Sequence, residues 1–301
     1  MQIVRIIGGL GNQMFQYAFW LALKQQGQPA KLDPSGFGAY TLRQPELNRA
    51  FHIAVNDNTA SENEIAALKD MAKNLRIRKL LGKILYANPN RFIRKSHFIE
   101  PNFSGFYPEA LRRPDAYLDG YWQNEKYFSA IAGQVRAAFQ WKAVSGKNLE
   151  AARQMETENS VAIHIRRLDQ PKNLKELFFR MRLQLIWRVC TKKYYDDAIA
   201  CMKARTDHPR FYIFTDQIGW VKKNILPDDD TVLVDWNRGE DSHWDLFLMT
   251  KCRHNIIAMS SYSWWGAWLN PNPGKIIIAP KKWALRFTKE INLIPESWIR
   301  I

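Results

Sequence analysis

The sequence is poor in cysteine, which limits the kinds of site that it can form. Among its 301 residues are three cysteines, Cys190, Cys201 and Cys252. They are odd in number, lie far apart, and are not accompanied by histidines at metal-ligand spacing. We therefore expect reduced thiols in or near a hydrophobic core, and neither a disulfide framework nor a structural zinc site.

Long apolar runs are also missing. No stretch reaches the roughly 18–20 consecutive apolar residues that a membrane-spanning helix requires. The apolar run at residues 14–23 is shorter, and it lacks the basic leader and the small-residue cleavage site of a signal peptide. Hydrophobic residues make up 46% of the chain and charged residues 24%, as in globular proteins, and the length allows two domains. We expect a cytoplasmic protein, with peripheral attachment to the inner membrane as an alternative.

Acidic residues are scarce relative to basic ones, 29 against 44, so the formal net charge is +15. Nucleic acid, anionic lipid headgroups or a nucleotide diphosphate would each suit this charge. The excess concentrates in residues 69–95, where nine basic residues face only Asp70. This segment has no helix-turn-helix, zinc-finger or aromatic-interleaved signature. A membrane surface is therefore favoured over nucleic acid, and an ordinary solvated helix face explains the segment equally well.

The order of apolar and glycine-rich stretches predicts an α/β protein. A strand at residues 2–7, a glycine turn at 8–13 and a helix from about 14 to 26 form half of a βαβ unit. Residues 34–146 are less regular. After residue 157, short apolar strands alternate with helical patterns, as in a parallel, doubly wound sheet. We predict strands at 161–165, 211–214, 231–234, 255–258 and 275–278, and helices at 194–205, 220–225, 242–252 and 263–269. The expected architecture is two α/β domains, 1–155 and 156–301, facing each other across a cleft.

Residues 174–190 are apolar on two helical faces and carry three interspersed arginines. An interfacial helix, a partner contact and a lid all fit this pattern, and core packing is the more common outcome for it.

Three polar clusters directly follow predicted strands in the second half of the chain. They are residues 164–169 (His-Ile-Arg-Arg-Leu-Asp), the pair Thr215 and Asp216, and residues 260–263 (Ser-Ser-Tyr-Ser). Ligands of doubly wound sheets bind at the carboxyl ends of the strands. The three clusters together therefore predict a ligand site at that edge.

The first cluster suits a nucleotide-sugar site. As the sugar departs, negative charge grows on the leaving diphosphate, and either a divalent metal or fixed guanidinium and amide donors must stabilise it. Arginine suits the second solution because its planar fork donates paired hydrogen bonds to phosphate. Adjacent side chains of a strand point to opposite faces, so we expect only one of Arg166 and Arg167 to contact phosphate, with Asp169 orienting it.

The other two clusters each have an alternative explanation. Ser260, Ser261 and Ser263 precede a helix beginning near Trp264, where helix amides and hydroxyls suit phosphate, although simple N-capping would also place serines there. Asp216 would accept the paired donors of a guanine edge, or it is an ordinary turn aspartate.

The sequence offers one pattern that resembles a metal site. Residues 228–230 (Asp-Asp-Asp) resemble the Asp-x-Asp signature of metal-dependent glycosyltransferases. They lead into a predicted strand instead of ending one, so we interpret them as a solvated turn. No other cluster has ligand spacing, and no metal is expected.

Several sequence blocks carry a resemblance to one known family. Residues 8–18 are similar to its glycine loop, and residues 120–123 (Gly-Tyr-Trp-Gln) to its mid-chain aromatic motif. Residues 164–169 match the His-x-Arg-Arg-x-Asp signature of fucosyltransferases that form α-1,2, α-1,6 and protein O-linked bonds. Residues 245–249 and 260–268 match its last block, in which Ser-Trp-Trp-Gly-Ala-Trp is the most specific part. The sequence thus resembles the bacterial and animal α-1,2-fucosyltransferases of glycosyltransferase family 11.

This resemblance implies a GT-B-like fold, GDP-fucose as donor, inversion at the anomeric carbon and no metal or other cofactor. The expected reaction moves L-fucose to the 2-hydroxyl of a terminal β-galactose, in bacterial O-antigen or surface glycan synthesis. The β-galactoside glycan acceptor is expected to be lipid-linked, and nucleic acid is not an expected partner. Alternatives are a GDP-fucose transferase of different linkage and a basic nucleic-acid-binding protein.

The motifs and the resemblance together give a set of candidate site residues. The catalytic candidates are Arg166, Asp169 and Asn12. The donor-binding candidates are Gly9, Gly11, His164, Arg166, Arg167, Thr215, Asp216, Ser260, Ser261, Tyr262 and Ser263. The acceptor-binding candidates are Gln13, Phe15, Trp122 and Gln123. For Trp122, burial in the core is the alternative to stacking on a sugar ring.

The sequence also departs from the family pattern at four positions. Leu168 stands in place of a usual glycine and Gln170 in place of a tyrosine. Met259 replaces an asparagine, and Gln217 stands where many members have a second acidic residue. These departures affect the loops around the predicted phosphate contact. No carboxylate in the sequence stands out as the base for the acceptor hydroxyl, with Asp169 as the candidate.

Overall fold

The computed structural model describes residues 1–39, 44–70, 94–102, 105–166, 189–225, 231–283 and 293–301. The chain divides into two compact units, Met1–Lys142 and Ala143–Ile301. Among the described residues, each unit contains one parallel β-sheet flanked in sequence by helices. The predicted α/β class with parallel sheets is therefore confirmed.

The N-terminal unit is built on four parallel strands in the order β2-β1-β4-β3. The strands are β1 (Gln2–Arg5), β2 (Ala30–Asp33), β3 (His97–Ile99) and β4 (Ala116–Asp119). In the central strand β1, Val4 lies opposite Leu32 on one side and Leu118 on the other, and all three side chains are fully buried. Because β1 and β4 are neighbours, the loops that follow them leave the same edge of the sheet.

Five helices of this unit lie in its described part. They are α1 (Leu10–Gln25), α2 (Leu47–Ala50), α3 (Glu62–Leu68), α4 (Pro108–Arg112) and α5 (Ala132–Ala138), with 3-10 turns at Ser35–Ala39, Asn56–Asn58, Glu125–Tyr127 and Ser129–Ile131. Helix α1 begins before its predicted start because Gly9 adopts an extended conformation and serves as the N-cap. The glycines of the turn therefore lead directly into the helix.

The C-terminal unit contains six parallel strands in the order β10-β9-β8-β5-β6-β7. The strands are β5 (Ser160–Ile165), β6 (Arg210–Thr215), β7 (Thr231–Val234), β8 (His254–Ile256), β9 (Ile277–Ala279) and β10 (Ile299–Arg300). In the middle of this sheet, Ile163 lies opposite Ile213 and Ile256, and these buried side chains form part of the core. The strands predicted in this half of the chain are present, with small shifts at their ends.

The described helices of this unit include one that was not predicted. They are α6 (Gly146–Thr157), α7 (Lys192–Lys203), α8 (Ile218–Asn224), α9 (His243–Lys251) and α10 (Ser261–Leu269), with a 3-10 turn at Gly239–Ser242. The new helix, α6, packs against α9 and β5. It therefore belongs to the C-terminal unit, and the division of the chain falls before it, whereas the sequence placed the division near residue 155.

Several sequence predictions fall outside the described residues. These are the segments 71–93, 174–188 and 228–230, and the side chains of Arg167, Leu168, Asp169 and Gln170. At the start of the basic segment, Lys69 forms an ion pair with the buried Asp33, with 3.3 Å between Nζ and Oδ2. This lysine is therefore part of the N-terminal unit's packing. In the described part of the chain, no helix is both long enough and apolar enough to span a membrane.

Candidate functional site

The three polar clusters predicted from sequence follow neighbouring strands. Strands β8, β5 and β6 are consecutive in the C-terminal sheet, and all run parallel. Their carboxyl ends therefore lie at one edge, where the predicted ligand site of this sheet belongs. The residues that follow them are 257–263, Arg166 and Asp216.

Arg166 and Asp216 meet at the end of the paired strands β5 and β6. The register places Ile165 opposite Thr215, so the next residues, Arg166 and Asp216, face each other across the pair. Their guanidinium and carboxylate groups form an ion pair, and 37% of the surface of the Arg166 side chain is exposed to solvent. The structure thus fixes one guanidinium at the strand ends while leaving part of it open to solvent.

His164 lies in β5, two residues before Arg166, and the charge of Arg166 acts on its ring. Its ring is almost completely buried, and its centroid lies 5.7 Å from that of Tyr262. Burial, together with the positive charge of Arg166, lowers the pKa of His164 to about 3. The imidazole is therefore neutral near pH 7, and its Nδ1 atom has no hydrogen-bond partner among the described residues.

The serine cluster at the start of α10 is used largely by the fold itself. Ser260 is the N-cap, and its Oγ accepts a hydrogen bond from the Tyr262 backbone at 3.3 Å. Ser263 is buried, with its Oγ 3.4 Å from the carbonyl oxygen of Ala258. The N-capping alternative therefore describes Ser260, while Ser261, at the first position of the helix, is partly exposed.

Tyr262 joins the start of α10 to the start of α9. Its hydroxyl donates to the carbonyl oxygen of Ser242 and accepts from the Leu246 backbone N–H at 2.8 Å. The hydroxyl is thus engaged with the backbone at the starts of both helices. Thr215, the remaining predicted residue of this group, accepts a hydrogen bond from the Gln217 backbone at 2.9 Å and closes the turn after β6.

The structure adds one acidic group to which the sequence assigned no role. Asp245 lies in α9, next to Leu246, whose backbone N–H donates to the Tyr262 hydroxyl. Burial raises the pKa of Asp245 to about 7, although a hydrogen bond from Asn237 and the charge of Arg238 act in the opposite direction. Asn237 is held in turn by Asn148 at 2.9 Å. In the sequence, Asp245 is a single carboxylate in an apolar helix, and it belongs to residues 245–249, which resemble the family's last block.

In the N-terminal unit, the glycine loop and the 120–123 turn are joined by side-chain amides. Gln123 donates to Asn12 at 2.7 Å. Gln16 accepts from the Ile7 backbone and donates to the Gly120 carbonyl oxygen, both at 2.9 Å. These segments follow β1 and β4, which are neighbours in the sheet. The predicted residues Asn12 and Gln123 therefore lie together at the carboxyl edge of this sheet.

Glycine is required in the loop itself. Gly8 has φ of +92°, and a Cβ atom there would lie 2.8 Å from Nδ2 of Asn12. The positive φ and the close approach of Asn12 both disfavour any other residue. Gly9 is the N-cap of α1, and Gly11 lies in the first turn of that helix.

Three of the predicted acceptor-binding residues are core residues in the structure. Gln13 is 1% exposed, and its amide group bonds the carbonyl oxygen of Gly8 and the backbone N–H of Glu46. Phe15 is fully buried. Trp122 is also fully buried and stacks on Phe19 with 4.4 Å between ring centroids. These side chains shape the fold, and their burial leaves no face open to a sugar.

The described part of the chain contains histidine, cysteine and acidic side chains, the groups that commonly bind metals in proteins. No cluster of three or more histidine, cysteine, aspartate or glutamate side chains there has an arrangement that would hold a metal ion. Arg166 is a cationic group at the carboxyl end of β5.

Comparisons with known proteins identify the family. The whole chain, residues 1–301, matches the model of glycosyl transferase family 11. It is 32% identical to an α-1,2-colitosyltransferase of Escherichia coli, over 99% of this chain and 98% of that protein. It is 29% identical to the O-antigen biosynthesis glycosyltransferase WbnK of Escherichia coli, over 98% of each chain. Galactoside α-(1,2)-fucosyltransferase 1 of Plecturocebus brunneus is 24% identical over 87% of this chain and 63% of its own length. The chain therefore belongs to glycosyltransferase family 11 and is a glycosyltransferase.

Proposed function

We propose that this glycosyltransferase moves L-fucose from GDP-fucose to the 2-hydroxyl of a terminal β-galactose, with inversion and without a metal. The observation that carries the proposal is the placement of Arg166. Its guanidinium is fixed at the carboxyl ends of β5 and β6 by Asp216 and remains partly open. That position, at the edge where ligands of parallel sheets bind, suits the diphosphate of a nucleotide sugar.

In the proposed reaction, the acceptor oxygen attacks the anomeric carbon from the face opposite the diphosphate. The bond from that carbon to the phosphate oxygen breaks, and negative charge accumulates on the departing GDP. Arg166 stabilises this charge by donating hydrogen bonds to the phosphate oxygens. Asp216 holds the guanidinium beforehand, so that little reorganisation is needed when the donor binds.

The acceptor hydroxyl must also lose its proton during the transfer. A positioned carboxylate would accept it, and Asp169 remains our candidate from the sequence. A loose, oxocarbenium-like departure driven mainly by Arg166 would need less from such a base, because the anomeric carbon is then strongly electrophilic.

A nucleotide sugar other than GDP-fucose is a second candidate for the donor. The relative that shares 32% identity is named an α-1,2-colitosyltransferase. Colitose differs from L-fucose in lacking the 3-hydroxyl, so one hydrogen-bonding group separates the two donors. A GDP-linked colitosyl donor is therefore the alternative to GDP-fucose, with the same linkage and the same role for Arg166.

We also propose that the acceptor belongs to a surface glycan such as an O-antigen. The name of the second bacterial relative supports this setting. A lipid-linked acceptor would bring the enzyme to the inner membrane face, where the net charge of +15 favours anionic lipids.

The test is a transfer assay with GDP-fucose and GDP-colitose against a panel of β-galactosides, in the presence of EDTA. We expect slow GDP release without acceptor, faster release with one, and a product whose linkage is α-1,2 by NMR. A product with another linkage would overturn the proposed transfer to the 2-hydroxyl of galactose. Strong inhibition by EDTA that manganese reverses would overturn the metal-independent mechanism, and turnover of GDP-colitose alone would select the second donor.

A further inference from the structure

Tyr121 stands out because it is exposed where its sequence neighbour is buried. It is 38% exposed, whereas Trp122 is fully buried. Among the described residues, Phe106 is the other large hydrophobic side chain exposed to this extent, at 37%. Tyr121 lies two residues after the end of β4, at the edge of the sheet that also carries the glycine loop.

A buried carboxyl group holds the backbone of Tyr121 in place. Glu100 follows β3 and is 8% exposed. Its Oε2 atom accepts hydrogen bonds from the backbone N–H groups of Tyr121, at 2.7 Å, and Trp122, at 3.2 Å. Two successive amides pointing at one oxygen fix the direction in which the chain leaves β4.

The turn is further constrained on both sides of Tyr121. Trp122 has φ of 54°, a left-handed conformation that is unfavourable for a residue with a side chain. Its ring compensates by packing in the core against Phe19. Before Tyr121, a Cβ atom on Gly120 would lie 2.6 Å from Cβ of Glu100, so the chain passes too closely for any side chain. The tyrosine is thus presented by a rigid turn.

Tyr121 shares its edge of the sheet with polar side chains. The Gln123 amide reaches Asn12 at 2.7 Å. Arg5, at the end of β1, pairs with Asp119 at 2.8 Å and lies close enough to Tyr121 to interact with it electrostatically. This edge of the sheet therefore carries an exposed aromatic side chain, a guanidinium group within its electrostatic reach, and the amide pair of Asn12 and Gln123.

This combination matches the chemistry of a galactose ring. The axial 4-hydroxyl of β-galactose leaves one face on which the C–H groups at positions 3, 4 and 5 form an apolar patch. Such a patch packs on an aromatic ring, while the hydroxyls at the rim need polar partners.

We propose that Tyr121 is the aromatic residue that contacts the acceptor galactose, and that Glu100 is the positioning residue that holds it through the 120–123 turn. This inference rests on the proposed function in one respect, namely that the acceptor is a β-galactoside. It assigns the acceptor contact to Tyr121 in place of the buried Trp122.

The test compares Tyr121→Ala with Tyr121→Phe. Because the ring face carries the contact, we expect Tyr121→Ala to raise the acceptor KM about tenfold, while Tyr121→Phe stays near wild type. Donor hydrolysis without acceptor should be unchanged in both. Val135→Ala, a core truncation in α5, serves as the control for general destabilisation and should leave the acceptor KM unchanged. An unchanged acceptor KM in Tyr121→Ala would overturn the inference.

Glu100 variants test the positioning role. We expect Glu100→Ala to raise the acceptor KM as Tyr121→Ala does, and Glu100→Gln, which keeps an oxygen for the two amides, to restore it. A Glu100→Gln enzyme with the same defect as Glu100→Ala would contradict the assignment.

A binding measurement separates this inference from the proposed function. Saturation-transfer NMR with methyl β-D-galactopyranoside requires no turnover. We expect transfer to protons 3, 4 and 5 of the sugar in the wild type and its loss in Tyr121→Ala. If the wild type binds the galactoside through these protons but does not use GDP-fucose, the proposed donor fails and the inference stands. Equal signals from the wild type and Tyr121→Ala, or no binding by the wild type, would overturn the inference.

Discussion

At the scale of single residues, the fold alters the titration of the buried Glu100. Burial is the main cause that raises its pKa to about 8, and the charge of Asp119 adds to the shift. The backbone N–H groups of Tyr121 and Trp122 oppose it. The hydroxyls of Tyr107 and Tyr127 also lie within electrostatic reach. Near pH 7 the carboxyl group is therefore largely protonated while it accepts its two backbone hydrogen bonds.

This shift predicts how stability changes with pH. Between the ordinary pKa of 4.5 and the folded value of about 8, the unfolded chain has lost the proton that the folded chain retains. The free energy of unfolding should therefore fall as pH rises through this range and level off above it. Glu100→Gln removes the titration, so its urea midpoint should decline less than that of the wild type between pH 5 and 8.

Asp245 also makes the free energy of unfolding fall as pH rises, since burial raises its pKa to about 7. Because Asp245 is present in both the wild type and Glu100→Gln, its contribution cancels when their pH profiles are compared. Parallel pH profiles for the wild type and Glu100→Gln would show that Glu100 does not titrate as described.

Some site residues could be predicted from the sequence because they follow a local strand pattern, whereas the roles of others depend on contacts between distant parts of the chain. Arg166 and Asp216 directly follow apolar strands, so the alternation of a strand and the parallel register are enough to bring them together. Gln13 is different, because two of the three backbone groups that it bonds belong to Gln44 and Glu46, far along the chain. The direction of Trp122 likewise depends on Glu100, which follows a different strand, β3. Contacts of this kind leave no local pattern.

At the scale of elements, the two sheets differ in how far the sequence revealed them. Strands β5 and β6 are fully apolar runs at their centres and were predicted. Strands β2, β3 and β4 are three or four residues long and contain charged or polar side chains such as Asp33 and His97. Asp33 is buried with tertiary partners, among them the Tyr117 hydroxyl, which donates a hydrogen bond to it at 2.6 Å. Short strands of mixed polarity do not show the period on which prediction depends.

The turn after β4 offers a test at this scale. A Cβ atom at Gly120 would lie 2.6 Å from Cβ of Glu100 and 2.9 Å from the Trp122 ring, so the backbone must move to admit it. We expect Gly120→Ala to destabilise the protein by about 1–3 kcal/mol, as overpacking does.

Gly133→Ala is the matched control. It lies in α5, where a Cβ atom would meet nothing within 4 Å, and the higher helix propensity of alanine should stabilise the protein by up to about 1 kcal/mol. Urea unfolding of both variants checks the difference. Equal stability of the two variants would mean that the turn is not tightly packed.

At the scale of the whole molecule, the two units carry different parts of the proposed reaction. The C-terminal unit fixes Arg166, with His164 and Asp245 close to the same edge of its sheet. The N-terminal unit collects Asn12, Gln123 and Tyr121 at the edge of its own sheet. Membership in glycosyltransferase family 11 was predictable from the sequence because its motifs are contiguous blocks. The choice between fucose and colitose was not, because a single hydroxyl distinguishes the two donors.

The central claim is that Arg166 binds the diphosphate, and calorimetric titration with GDP in EDTA tests it most directly. We expect the wild type to bind GDP and Arg166→Ala to bind at least about tenfold more weakly, because charge-assisted hydrogen bonds to phosphate are lost. Arg166→Lys should be intermediate, since it keeps the charge without the fork. Arg153→Ala, at an exposed position of α6 in the same unit, should bind as the wild type does. Equal affinity of Arg166→Ala and the wild type, or binding only when manganese is added, would contradict the account.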